Sequence, residues 1–538
     1  MKNGKILDCT LRDGAYLLNK KFGERNILGI IDGLQRANID LIEIGFLQDT
    51  GMDVGKTVYF NSKDAAKVLS SKKSDILYTV LADFSRYTIS NLDINDGRSF
   101  DAVRACFFKH ERFDVIDFCR AIKEKGYKVF VQPVDIMGYT ENELLDLIQA
   151  VNTIEPYCFS IVDTFGSMYL TDLRRIYSVI HKHLISSSAI GFHSHNNMQM
   201  SNALSQEFLS ILDKQRLGII DATLSGMGRG AGNTPTELIA QYMNQHLSYN
   251  YNMDVILDII DNYMENIRSR CIWGYSTDYF IAGCYSAHVN NIGYLKKKNS
   301  IRSRDIKHII NSLNTLQRKR YDYDLLESLY IQLLKTDIDD NNTVKELSEK
   351  LHGKNIVIIA PGKSVRDEKD IIRKYIKEKQ SIVININFLD KEIDNNYIYI
   401  NNIKRYDYWK SQQEFIDCPK IVTSNITTNP EKNMYLVSFL RLFKSGWLHN
   451  DNSTLMLLRL LDEIHVKSIG IAGLDGYGKE KNYYSDELSL ANTHDHPDEL
   501  NKEISSMLKD YFNVRKHKDT TVEFITQSIF QSILLGGE

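Results

Sequence analysis

Two histidines one residue apart, His193 and His195, close the apolar run Ala189–His195, and an aspartate, Asp13, closes the turn after the first such run of the chain. On an extended strand, side chains two apart project to the same face, so the two imidazoles converge. One carboxylate from another strand end completes a facial set of two nitrogens and one oxygen, with positions left open for substrate or water. Mn²⁺ or Mg²⁺ lead as occupants, and Zn²⁺ or Fe²⁺ also fit such a set. Taken alone, H-x-H reads equally well as two hydrogen-bonding histidines; the aspartate at a neighbouring strand exit favours the metal.

Arg12 precedes Asp13 in the same turn. Its rigid fork of donors suits a carboxylate or an enolate oxygen. It also suits an ion pair with Glu43 or Asp163, and either acid is placed to orient Arg12 or a metal-bound water. Glu43 is expected among the substrate contacts as well.

These residues need a frame that brings strand ends together. Eight short apolar or β-branched runs recur over the first 235 residues: Lys5–Cys9, Asp40–Phe46, Ile76–Leu81, Ala102–Phe108, Lys128–Val134, Cys158–Asp163, Ala189–His195 and Gly218–Leu224. Each is followed by a longer stretch, and Glu141–Val151 and Leu170–His183 carry helical apolar spacing. Strands alternating with helices imply parallel pairing through right-handed crossovers. Eight units in this length point to a (β/α)₈ barrel, with an open doubly wound sheet as the alternative. In such a barrel the C-terminal strand ends carry the chemistry, and Asp13, Glu43, Asp163, His193 and His195 fall there. The glycine run Gly226–Gly232 follows the eighth run rather than the first strand of a nucleotide-binding unit. It reads as a flexible loop over the site, holding Asn233 near the metal.

With 538 residues the chain exceeds one core. The reading places the barrel at 1–290, a helical extension and linker at 291–351, and a Rossmann-like α/β domain at 352–538. Leu238–Leu247, Val255–Ile267 and Ile306–Leu313 have helical periodicity, whereas Thr336–Lys350 reads as linker. A net charge of −3 with 25% charged residues argues against nucleic acid as partner. No apolar run is long enough to cross a membrane. Seven scattered cysteines without a C-x-x-C pair, and no signal-like opening, predict a cytoplasmic protein without disulfides. Past Lys354, the pattern of strand, Pro361-Gly362-Lys363-Ser364, helix and strand opens the second domain. That turn, Gly473–Gly478 and the Thr493–Asp498 cluster all read as ordinary architecture. A nucleotide or nucleotide-sugar site at the strand ends, or a docking module, are the other readings.

Together, Asp8–Gly14, the H-x-H ending the seventh run and the loop GMGRGAGN at Gly226–Asn233 resemble the DRE-TIM metallolyase superfamily over residues 5 to about 290. The likeness is greatest to its 4-hydroxy-2-oxovalerate aldolase-like branch. The resemblance implies that Asp13, His193 and His195 hold the metal, that Arg12 contacts the enolate, and that Asn233 stands where some relatives supply a fourth ligand. It places Thr164 near the substrate carboxylate. The loop lacks the cysteine of the 3-hydroxy-3-methylglutaryl-CoA lyases. Ala15-Tyr16 stands where the aldolases carry a histidine base, so Tyr16 becomes the proton relay or oxyanion donor. The expected function is aldol chemistry on a 2-oxo acid, in a homo-oligomer, with an aldehyde-processing enzyme as a further partner. An acyl-CoA-dependent Claisen-type synthase is the alternative, and a Schiff base on Lys109 is a competing mechanism.

Overall fold

The computed structural model describes residues 3–534 apart from 51–52, 299–300, 335–337, 391, 394, 479–481 and 484–495. The chain divides into two compact units, one of residues 1–289 with 318–320 and the other of residues 290–317 with 321–538.

In the first unit all eight expected strands form: β1 (Gly4–Asp8), β2 (Leu41–Leu47), β3 (Leu77–Asp83), β4 (Ala102–Phe107), β5 (Lys128–Pro133), β6 (Cys158–Asp163), β7 (Ala189–Ser194) and β8 (Gly218–Ala222). Each pairs in parallel with its sequence neighbours, and β1 pairs with both β2 and β8, which closes the barrel. The crossovers after β1 and after β4 to β7 are amphipathic helices, such as Glu24–Arg36 and Leu170–His183. The crossover after β3 has a single 3₁₀ turn, Ile89–Asn91, instead of a helix. Its sequence, SNLDINDGRS, is rich in residues whose side chains compete for backbone hydrogen bonds and so favour turns.

The period of two along each strand sorts the barrel interior into tiers. Leu7, Leu41, Ala102, Phe130, Cys158, Ala189 and Ile219, with Leu77 packed beside them, form one apolar cluster. Two residues further along the same strands stand Cys9, Glu43, Thr79, Arg104, Gln132, Ser160, Gly191 and Asp221. The apolar tier plugs the bottom, and a polar tier lies immediately above it. Gly45 makes room at this level: it sits at a register shift between β2 and β3 with φ 147°, and an added Cβ would lie 2.2 Å from the Thr57 carbonyl oxygen. Bulges of this kind re-aim side chains beside functional sites.

The second unit is built on a seven-stranded, all-parallel sheet: β9 (Asn355–Ile359), β10 (Ile382–Ile386), β11 (Tyr397–Ile400), β12 (Lys420–Thr423), β13 (Met434–Val437), β14 (Ser468–Ala472) and β15 (Thr521–Phe524). The order is β13-β12-β11-β10-β9-β14-β15, so the chain winds outward from β9 and then returns to its other side. The expected linker at 336–350 is largely a helix, Asn341–Leu351. Leu347 and Leu351 are buried, and the preceding Asp340 accepts from Ser438 N at 2.8 Å and pairs with Arg441. A charged face masked this amphipathic helix in the sequence.

Candidate metal centre

Asp13 reaches the barrel mouth on a single helical turn, Thr10–Asp13, that reverses the chain after β1. Asp8 fixes the turn, accepting from Thr10 N at 2.9 Å and from Thr236 Oγ1 at 2.6 Å. His193 stands two residues above Gly191 on β7, and His195 follows at the strand exit. Their Nε2 atoms lie 3.7 and 3.9 Å from Asp13 Oδ2, and all three side chains are buried. The structure therefore brings the three expected ligands together from opposite ends of the barrel sequence.

The donor chemistry of this set fits a divalent cation. His193 Nδ1 is 2.9 Å from Asp221 Oδ2, so with the carboxylate ionised this nitrogen donates and Nε2 keeps its lone pair for the centre. Burial, opposed by Asp13, lowers the His195 pKa to about 3 and keeps that ring neutral. Burial also works against ionisation of Asp13, but neighbouring positive charge, that of Arg12 foremost, outweighs it and holds the carboxyl well below its usual range. Asn233 Nδ2 donates to Asp13 Oδ2 at 2.7 Å, while its Oδ1 is buried with no hydrogen-bond donor. A second convergence, Cys9, His193 and Asp221, lies close by. There Asp221 is already bonded to Arg104 and His193, and burial pushes the Cys9 thiol pKa up. The unspent acceptors belong to the Asp13 set.

Beneath the ligands runs a closed circuit of charge. Arg12 Nη1 is 3.1 Å from Asp13 Oδ1, and its Nε donates to Glu43 Oε2 at 2.8 Å. The same Glu43 oxygen accepts from Arg104 Nη1 at 2.7 Å, and Arg104 Nη2 donates to Asp221. Asp221 returns the circuit to His193. Three carboxylates against two guanidiniums leave one negative charge in excess, which a divalent cation reverses. Arg104 and Asp221 escape notice in a motif reading. The available signal is a lone charge inside an otherwise apolar strand, AVRACF and GIIDA, where the period of two turns it inward.

The other expected residues fall as follows. Glu43 is completely buried beneath Arg12 and Arg104, so it supports Arg12 rather than touching substrate. Asp163 makes no pair with Arg12; it accepts from Ser167 N and Met168 N and ties the turn after β6. Its pKa is raised to about 6 by burial, which those bonds only partly offset. Thr164 sits at the β6 exit with Oγ1 accepting from Asp135 N at 2.8 Å, leaving its hydroxyl proton to donate. Lys109 is paired with Glu143 at 2.5 Å and donates to Gly138 O, which turns its amine away from Schiff-base chemistry. Tyr16 lies at the rim, 38% exposed, with Arg229 4.5 Å from its ring. Loss of water raises the phenol pKa, and Arg229 and Arg12 offset only part of that rise.

The glycine loop is not the flexible cover its composition suggests. Asn196 N donates to Gly232 O, Ala231 N to Asn197 Oδ1, and Trp273 Nε1 to Ser225 O, all within 3.0 Å. An added Cβ at Gly228 would lie 2.1 Å from Asn233 Nδ2, so a side chain there displaces Asn233. The glycines let the backbone pack closely enough to present Asn233.

In the second unit, Ser364 of the Pro361–Ser364 turn donates both N and Oγ to Asp475, at 2.8 and 2.5 Å. Thr493, His494 and Asp495 lie outside the described residues; His496 precedes the helix Pro497–Val514. Among the described residues no helix is long and apolar enough to cross a membrane.

Residues 3–262 match the family model described as HMGL-like. The barrel is an HMGL-like domain. This domain is similar to the oxaloacetate decarboxylase of Mycobacterium tuberculosis, 27% identical over 245 residues that cover 44% of this chain and 68% of the relative. The chain is also similar, beyond the barrel as well, to the 4-hydroxy-2-oxovalerate aldolase of Pseudoalteromonas translucida, 22% identical over 339 residues, 59% of this chain and 92% of the relative. Among solved structures, the HMG-CoA lyase of Bacillus subtilis matches with a TM-score of 0.40 and 16% identity, over 49% of this chain and 93% of its own. The HMGL-like assignment leaves the role of each side chain to the geometry described above.

Asp221→Asn removes the charge that sets the His193 tautomer. Metal titration should show affinity reduced by about 10- to 100-fold, the usual cost of losing such a partner. Unchanged affinity would mean that Asp221 does not orient the ligand.

Proposed function

We propose that the HMGL-like barrel is a divalent-metal-dependent carbon–carbon lyase that makes or breaks the bond next to a 2-oxo acid, in the manner of a 4-hydroxy-2-oxovalerate aldolase. The carrying observation is the buried set Asp13, His193 and His195 with Arg12 beside it. Bound there, with Asn233 Oδ1 as a fourth donor, Mn²⁺ or Mg²⁺ supplies Lewis-acid polarisation of a 2-oxo acid. Arg12, held from behind by Glu43, presents its remaining N–H groups to the oxygen on which negative charge develops. Thr164 donates its hydroxyl proton to the substrate carboxylate.

In the cleavage direction the bond between C3 and C4 of a 4-hydroxy-2-oxo acid breaks. The electron pair stays on C3 as an enolate, and the C4 hydroxyl gives its proton to water at the barrel rim, where Tyr16 is 38% exposed, as the carbon becomes an aldehyde. Water returns a proton to C3, which gives the shorter 2-oxo acid. Tyr16, whose pKa is raised, serves this sequence as a neutral hydrogen-bond donor at the C4 oxygen and not as an ionised base. The barrel wall beneath Arg12 excludes water, because Glu43 and Arg104 are fully buried.

For the second unit we propose a nucleotide or nucleotide sugar at the carboxyl ends of β9 and β14. Its support is topological: winding reverses between these two strands, and in open parallel sheets ligands occupy the crevice at that switch point. Nucleotides and nucleotide sugars should raise the unfolding temperature of the full chain, and Asp475→Ala should abolish that rise. An unmoved transition across the panel contradicts the assignment.

The barrel is tested by release of a 2-oxo acid from a panel of 4-hydroxy-2-oxo acids with metal supplied. Chelation and Asp13→Ala should each remove turnover. Tyr16→Phe should lower kcat by roughly 10²-fold, within the range for a lost transition-state proton donor or oxyanion contact. In the wild type kcat/KM should not climb tenfold per pH unit between pH 7.5 and 9.5, as it would if the phenolate were the base. Metal-independent turnover by Asp13→Ala would overturn the proposal.

A further inference from the structure

Beside the metal centre the barrel carries a cavity of about 450 Å³, a size that suits a small ligand, lined by Tyr16, Asn19, Lys20, Gln48, Lys56 and Val58 among others. It is joined to the centre by continuous structure. The 3₁₀ turn Gly14–Leu18 starts immediately after Asp13, and Lys20 N closes it on Ala15 O at 2.7 Å. Thr57 N donates to Lys20 O at 2.9 Å, which seats the loop after β1 against the loop after β2. Along the wall Arg229 covers Tyr16, Tyr16 meets Phe46 edge to face at 5.4 Å, and Lys20 Nζ lies 4.8 Å from the Phe46 ring.

The charges lining this cavity do not balance. Lys56 is neutralised by Asp53 at 2.8 Å, and nearby Arg86 is paired with Asp83 at 3.5 Å. Lys20 has no ion-pair partner among the described residues. Its pKa is lowered by loss of water and by the like charges of Arg86 and Lys56, which the more distant Asp83 offsets only in part. Gln48 and Asn19 add polar groups, and the Tyr16 ring and Val58 add an apolar side. A short carbon chain ending in an anionic group matches this lining: apolar contact near Tyr16 and a cation at the far end.

We infer that this cavity is the subsite for the aldehyde half of the substrate, and that Lys20 selects aldehydes bearing a phosphate or carboxylate remote from the carbonyl. The inference rests on the aldol reading of the metal centre, because that reading places the C4 oxygen at Tyr16, on the cavity wall. It adds a substrate class: the preferred 4-hydroxy-2-oxo acid carries a second anionic group at its far end.

The test uses the full chain with Mn²⁺ and pyruvate in the addition direction, comparing glyceraldehyde 3-phosphate, succinate semialdehyde and propionaldehyde. At least one charged aldehyde should show a KM about tenfold below that of propionaldehyde, the size of one charge-assisted hydrogen bond. Whichever charged aldehyde is preferred names the anionic group. Lys20→Met should erase that advantage through KM rather than kcat, and Lys20→Arg should restore most of it. Equal KM values for all three aldehydes in the wild type, or an equal rise for all three in Lys20→Met, would overturn the inference. A second arm needs no turnover: acetylation of Lys20, read by mass spectrometry, should be slowed by glycerol 3-phosphate or succinate but not by glycerol, with exposed Lys63 as the internal control. If no aldehyde reacts, the aldol reading fails. Protection of Lys20 then still supports an anion subsite, and its absence overturns it.

Discussion

One ion-pair circuit holds the centre of this barrel. Arg12, Glu43, Arg104, Asp221, His193 and Asp13 follow one another around the interior, each touching the next, all of them buried. A buried ion pair often contributes little net stability, because desolvation consumes the Coulomb gain; removing one partner is another matter, costing about 3–5 kcal/mol. That is a large part of the roughly 5–15 kcal/mol by which a domain is stable. The circuit is therefore a poor source of stability and a strong source of specificity. Each member fixes the orientation of two neighbours, and the result is two imidazoles and an ionised carboxylate facing one point.

The fold explains how this circuit is affordable in a strand-lined interior. An apolar tier beneath it supplies burial without polar demands, and the tier of Glu43, Arg104, Gln132 and Asp221 supplies partners for one another. Gln132, with its amide oxygen turned towards the guanidinium, accepts from Arg104 Nε at 3.1 Å and Nη2 at 3.0 Å. The glycine loop after β8 then closes over the ligands from above. Its amides and carbonyls are spent on Asn196, Asn197 and Trp273, so its rigidity comes from hydrogen bonds that only close backbone approach permits.

Much of this was legible in the residues, and what was not has physical reasons. The recurrence of short apolar runs reveals eight strands, because parallel strands buried on both faces read as near-continuous apolar runs. H-x-H on a strand marks two convergent imidazoles, and Asp13 is marked as the carboxylate beside them by its place at a strand exit. Arg104 and Asp221 stayed hidden because their partners lie 61 and 117 residues away in sequence, on strands that only closure of the barrel brings together. Glu43 was found but given the wrong depth, since sequence places it near the strand end while the bulge at Gly45 intervenes. The helix at 341–351 was missed because eight of its eleven residues are polar or charged and Leu347 and Leu351 are its buried anchors. Glycine content suggested mobility after β8, where the structure uses glycine for contact.

The account stands on two histidine nitrogens and one aspartate oxygen meeting at a single divalent ion. Electron paramagnetic resonance with pulsed nitrogen detection on the Mn²⁺-loaded chain measures this directly. It should report one tightly bound Mn²⁺ per chain coupled to two imidazole nitrogens, with one coupling lost in His193→Ala and again one in His195→Ala. Mn²⁺ bound without nitrogen coupling, or couplings indifferent to both substitutions, would contradict it.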